Sequence, residues 1–257
     1  MLKNIYEVLD SLENPMFFYL RYFDNEGKHL RIRFKFNGQQ EAVEKVLILN
    51  VWLEKLREKA LITRWVFDTY KRETNRYGGI DLIEETENLF YRDSAFTVDI
   101  LSLIDMEKES ELEKSYIAGL CMMLKFLTED ETDAFDVLDA KNYHKAYRSE
   151  FNKNRKKYMN LVEKILVNGI APIDAMFINM GNSILSREKA LIRFKEKLLK
   201  AVNNKANTNF REDIILSLMH MYCNRLTGKI EYEEKYMALI RHALYSLIER
   251  NKHINKI

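Results

Sequence analysis

Residues 17–36, FFYLRYFDNEGKHLRIRFKF, alternate aromatic or branched side chains with polar ones on either side of DNEG, which predicts two strands joined by a turn. Strand side chains alternate between faces, so His29, Arg31 and Arg33 leave the second arm on one side and Leu30, Ile32 and Phe34 on the other. One face packs; the other presents cations. Over 39–60, Val43, Val46, Leu47, Trp52, Leu53 and Leu56 recur with helical spacing, and ITRWVFDTY after them alternates as a third strand, giving a βαβ-like or split α+β sheet. The polar KRETNRYGG ends that strand, and its Gly78-Gly79 pair signals a turn, with a helix starting near Ile80 to Ile83.

Beyond residue 82 the periodicity is helical: 82–91, 94–106, 111–128, 131–138, a polar helix near 142–166, then 171–182, 186–202, 210–226 and 231–250. The stretch 201–213, AVNNKANTNFRED, reads as a loop feeding a helix that starts near Arg211. No repeat or heptad array interrupts this order. The expected fold is therefore one α+β domain over 1–257: a small mixed sheet from the N-terminal third, packed with a predominantly helical remainder.

Composition narrows the class. With 47% hydrophobic and 31% charged residues but only 8 Gly and 2 Pro, the chain has the apolar material for a packed core, which excludes a disordered or Pro-rich adaptor. Forty-one Lys and Arg against 39 Asp and Glu leave +2, too even for global charge to argue for direct nucleic-acid binding. The segment KNYHKAYRSEFNKNRKKY is strongly basic, yet one solvated helical face would have the same composition. Cys121 and Cys223 suit reduced thiols, and neither a signal peptide nor a membrane span is legible, so a cytoplasmic location is expected.

Phosphate-loop, dinucleotide and zinc motifs are absent, and the five histidines are scattered, so no metal or cofactor is expected. The His29, Arg31, Arg33 array stands out, because three cations on one strand face repel unless something faces them. Arginine forks suit a carboxylate, a phosphate or an acidic peptide; charges standing in water are the alternative. Arg72, Glu73 and Arg76 form a second polar set, in which Glu73 and Arg76 either orient one another at a site or make a plain intrahelical salt bridge. His220 interrupts an apolar run, with Asn224 one turn on and Arg225 beside it; it is either a satisfied core histidine or a proton carrier.

Four motifs in order, RYFDNEGKHLRIRFK at 21–35, YKRETNRYGG at 70–79, FYRDS at 90–94 and SLMHMYCNRLTG at 217–228, resemble the C-terminal domain of lantibiotic dehydratases, also found alone in thiopeptide-type bacteriocin biosynthesis proteins. The resemblance implies a lyase that eliminates glutamate from glutamylated Ser or Thr in a ribosomally made precursor peptide, leaving dehydroalanine or dehydrobutyrine. Carried over by motif, the elimination residues are Arg31 and Arg33, Glu73 and Arg76, and His220. Arg33 and Arg76, with Arg31 near, would bind glutamyl carboxylates; Glu73 would orient an arginine and His220 would move a proton. His29, Arg72, Asn224 and Arg225 complete the expected substrate-binding set.

At 257 residues the chain has no room for the tRNA-dependent glutamylation domain of full-length dehydratases, so a split system is expected. Its partners would be a leader-bearing precursor peptide and a separate glutamylating subunit, with homo-oligomers also open. Two other readings stand beside elimination: the [4+2] pyridine synthases of thiopeptide pathways, and a noncatalytic subunit that binds precursor at its β-edge.

Overall fold

A computed structural model describes residues 2–25, 27–203 and 210–254. After a short helix α1 (Ile5–Ser11) that buries Ile5, Val8 and Leu9, strands β1 (Met16–Asp24) and β2 (Gly27–Lys35) form an antiparallel hairpin. Asp24 pairs with Gly27, and Glu26 of the expected DNEG turn lies outside the described residues. The register sets Phe18 opposite Arg33, Leu20 opposite Arg31 and Tyr22 opposite His29, the face assignment that period-two alternation requires. Helix α2 (Gln39–Glu58) follows, burying Leu49, Trp52 and Leu56.

The third strand expected over ITRWVFDTY does not form. Residues 62–70 are without regular structure, and among the described residues the sheet has two strands. Part of the reason lies on the other side of β1, where helical side chains occupy the free edge. Ser94 Oγ accepts the Tyr19 amide at 3.3 Å, while Asn224 accepts the Arg21 amide at 2.9 Å and donates to the Arg21 carbonyl at 2.9 Å. An edge capped in this way offers no ladder to a further strand. The α+β class holds nonetheless, with a small N-terminal sheet against a helical remainder.

Eight further helices build that remainder: α3 (Ile80–Leu103), α4 (Glu109–Leu127), α5 (Glu131–Asp139), α6 (Arg148–Lys153), α7 (Arg155–Asn168), α8 (Ala175–Ile178), α9 (Gly181–Asn203) and α10 (Arg211–Leu226), closed by α11 (Ile230–Ile254). The two helices expected over 82–91 and 94–106 are one, because the polar Asp93 and Ser94 between them are buried in its interior rather than marking a break. The polar helix expected over 142–166 is instead cut at Asn154, whose φ of −120° and side-chain bond to the Glu150 carbonyl at 3.4 Å compete with the helical backbone. Likewise 171–182 is interrupted after Pro172, where Asp174 caps α8 through the Met176 amide at 3.1 Å. Helix α10 begins at Arg211 as expected; residues 204–209 of the loop before it lie outside the described residues.

The core lies where α3, α4, α9 and α10 meet, and α4 is buried on nearly every side from Tyr116 to Leu124. Helices α4 and α10 cross at Gly119, where any Cβ would collide with the Tyr222 ring, and the Tyr222 hydroxyl donates to the Ser115 carbonyl at 2.6 Å. No helix of the described residues is long and apolar enough to cross a membrane.

Candidate functional site

The arginines of β2 are accommodated by aromatic rings, while His29 lies 3.7 Å from the Asp24 carboxylate. The Arg31 guanidinium lies 3.6 Å from the centroid of Tyr22, diagonal to it across the hairpin, and His29, directly opposite Tyr22, stacks on it with ring centroids 5.8 Å apart. Arg33 lies 5.2 Å from the ring of Tyr70, which in turn packs edge-on against Phe18. Ring faces are electron-rich and attract a guanidinium without consuming its hydrogen bonds. Arg33 Nε is accordingly buried and donates to no described protein atom, and burial, aided by Arg31, pulls the Arg33 pKa below its ordinary value. A desolvated guanidinium with a spare donor is poised for an anion.

Segment 70–79 forms the opposite wall. Arg72 donates to Glu87 of α3 at 2.8 Å, and burial with the adjacent Glu87 carboxylate pushes the Tyr70 hydroxyl up to about 12. A cleft of about 270 Å³ opens here, lined by Phe18, Arg33, Phe36, Tyr70, Arg72 and Glu87 among others. Residues Thr74–Tyr77 then make a single tight turn in which Glu73 and Arg76 pair at 3.5 Å, both exposed. Gly78 and Gly79, at φ of 87° and 90°, supply the left-handed backbone that leads into α3. Tyr77 anchors the turn by setting its ring 5.1 Å from Phe90, with burial pushing its hydroxyl up to about 12.

Helix α10 supplies the third group. His220, partly exposed, meets Glu233 of α11 at 2.8 Å through Nδ1. A carboxylate only accepts, so Nδ1 donates this bond, and in the neutral ring Nε2 keeps a lone pair that can take a proton. One turn later Asn224 makes its two bonds to the Arg21 backbone, which fix β1 against α10. Arg21 answers by donating to the Arg225 carbonyl at 2.9 Å and the Leu226 carbonyl at 3.3 Å, satisfying acceptors at the helix end.

Arg225 has no exposed surface, so its place is structural rather than against a substrate. It bonds Asp93 at 3.0 Å and Ser94 at 3.1 Å and lies 4.4 Å from the Phe90 ring centroid. Arg187 of α9 reaches the other oxygen of Asp93 at 2.8 Å and the Gly119 carbonyl at 3.1 Å. Three helices are thereby tied beneath the hairpin through one carboxylate.

The fold thus gathers Arg33 and Arg72 in one cleft, leaves Glu73–Arg76 and His220–Glu233 as separate pairs, and packs the Arg76 turn onto α3 and α10. Tyr70, Glu87, Glu233, Asp93 and Arg187 were not singled out in sequence. Asp93 had a signal, since it lies in FYRDS, one of the four motifs that carry the resemblance.

A family model described as the C-terminal part of lantibiotic biosynthesis dehydratases matches residues 1–245. The chain belongs to that family. Subtilin biosynthesis protein SpaB of Bacillus subtilis is 32% identical over 240 residues, a match covering 89% of this chain and 22% of SpaB. The chain spans about a fifth of the length of the curated relatives it matches. Its fold is shared with the crystal structure of MibB, a tRNA dependent lantibiotic dehydratase from Microbispora sp. 107891, at a TM-score of 0.81 and 21% identity over 98% of this chain and 27% of MibB. The crystal structure of TsrL shares it at a TM-score of 0.62 and 12% identity, covering 96% of this chain and 92% of TsrL.

Proposed function

We propose that this chain eliminates glutamate from glutamylated Ser or Thr in a precursor peptide, as one component of a dehydratase whose glutamylating activity resides in a separate subunit. The observation that carries the reading is family membership across 1–245, which includes every residue assigned a role. The chemistry divides naturally among them. His220 Nε2 takes the Cα proton of the esterified residue, the electron pair forms the Cα–Cβ double bond, and the Cβ–O bond breaks so that glutamate leaves as a carboxylate. Glu233 holds the ring and stabilises the imidazolium that forms. The α-proton of a peptide residue is weakly acidic, so Arg31, Arg33 and Arg76 neutralise the glutamyl carboxylate and the charge that develops as it departs.

Around this centre, Glu73 orients Arg76, Arg72 and His29 border the glutamyl group, and Asn224 positions the hairpin. Arg225 positions α3 and α10 from below. The decisive experiment incubates the purified protein with a defined glutamylated precursor and follows glutamate loss by intact mass. Replacing His220 with Ala should slow that loss by roughly a hundredfold or more, the usual contribution of a positioned base. Unchanged turnover in that variant would remove His220 from proton transfer.

A further inference from the structure

We infer that the basic strip 141–157 docks an acidic segment of the peptide substrate, an assignment that rests on the elimination reading of the His220 site. The strip KNYHKAYRSEFNKNRKK carries seven Lys and Arg against one Glu, while the other 240 residues carry 34 cations and 38 anions. The near-neutral total therefore conceals a separation of sign. Lys141, Lys145, Arg148, Lys153, Arg155 and Lys156 are all exposed, and none pairs with a carboxylate among the described residues. The strip's own acid, Glu150, is neutralised by Lys235 at 2.8 Å, and Lys157 turns away to Glu113.

Exposed lysines without a carboxylate partner also occur elsewhere among the described residues, Lys55, Lys71 and Lys197 among them, but not six such cations within seventeen residues. Arg72, Lys114, Arg193 and Arg250 each have a carboxylate partner at the surface. Position adds the second argument. The Tyr147 hydroxyl donates to the Glu231 carbonyl at 3.4 Å and Glu150 meets Lys235, so the strip is fastened to the first turns of α11. Between those two residues sits Glu233, the partner of His220. A peptide whose reacting residue lies at His220 can place a stretch a few residues away on the strip, since an extended chain advances about 3.3 Å per residue. Exposed Glu231 and Glu234 would repel acidic side chains from α11 and favour the cations beside it.

Single-stranded RNA fits less well. Its bases need open aromatic faces, whereas Phe151 within the strip is buried and Tyr143 and Tyr147 are half-buried against the core.

The test is fluorescence anisotropy with a labelled synthetic peptide in which a run of glutamates precedes a serine, beside the same peptide with glutamines. The acidic peptide should bind the full chain, weaken steeply as salt rises, and exceed the glutamine peptide by roughly tenfold or more in affinity. The variant K153E/R155E/K156E should lose the same factor while its circular dichroism stays unchanged, because all three side chains are exposed. Equal binding of the two peptides, or full binding by the variant, overturns the assignment. So does displacement of the acidic peptide by a single-stranded RNA oligonucleotide at lower concentration, which would give the strip to nucleic acid. The anisotropy needs no turnover, so binding without elimination would break the catalytic reading alone, and elimination without selective binding would break this one alone.

Discussion

Arg187 and Arg225 lie against aromatic rings and share one carboxylate, Asp93, with no surface left to water, whereas Arg31 and Arg33 rest on tyrosine rings with no carboxylate bonded to either among the described residues. The two settings solve the same problem, placing two guanidiniums close together, by different means. A carboxylate fixes the geometry and saturates the charge. An aromatic face holds a guanidinium in place but leaves its in-plane hydrogen bonds available. The first arrangement ties α3, α9 and α10 into a frame, and the second leaves a cationic face that an incoming anion can complete. Charge that serves folding and charge that serves binding are thus told apart by what lies opposite the arginine rather than by the arginine itself.

Removing the shared carboxylate is the harshest way to break this contrast. Asp93→Ala leaves two buried guanidiniums without a counter-charge and should cost about 3–5 kcal/mol, the penalty for uncompensated buried ions. Urea unfolding followed by circular dichroism measures it. A loss below about 1 kcal/mol would mean that water reaches the cluster and that the frame is looser than the distances imply.

The opposite outcome is expected on the open face. Arg33→Ala should lower kcat/KM for glutamate loss by roughly thirty- to a hundredfold, the worth of a charge-assisted hydrogen bond or two, while changing unfolding free energy by about 1 kcal/mol or less. Arg33→Lys should not restore turnover, because an ammonium lacks the planar fork that both stacks on Tyr70 and bonds a carboxylate. Were Arg33→Ala to unfold the protein as Asp93→Ala does, the distinction between the two settings would collapse.

Which parts of this were legible beforehand follows from the range of the interactions. The alternation in HLRIR placed His29, Arg31 and Arg33 on one face, and the hairpin register bears that out because period two is a local property of the strand. The helix start at Ile80 was equally local, written in Gly78-Gly79. By contrast, Tyr70 against Arg33, Glu87 against Arg72 and Glu233 against His220 depend on segments 13 or more residues apart, and no spacing rule reaches that far. The absent third strand has the same cause: ITRWVFDTY has the local preference for a strand, but Ser94 and Asn224 hold the outer edge of β1, contacts that no local pattern shows. Arg225 reads like its neighbours in CNR until the tertiary structure buries it.

Between the two settings stands Arg211, which donates to both oxygens of Asp133 at 2.8 and 2.7 Å with each side chain only partly covered. The Arg211 hydrogen bonds, helped by the Glu129 amide, hold the Asp133 carboxyl below the usual carboxylate range. Its folded pKa thus lies beneath the unfolded value of about 3.9, so the pair contributes stability that is complete above that pH and disappears as pH falls through the folded value. Solvent on both partners limits the contribution to about 1 kcal/mol. Asp133→Asn should therefore lower stability slightly at neutral pH and narrow the gap from the unsubstituted chain on acidification below about 4, as read by thermal unfolding across a pH series. A gap that stays constant with pH would show that the pair acts through packing alone, which would set Arg211 with Arg31 and Arg33 rather than with the carboxylate-bound pair at Asp93.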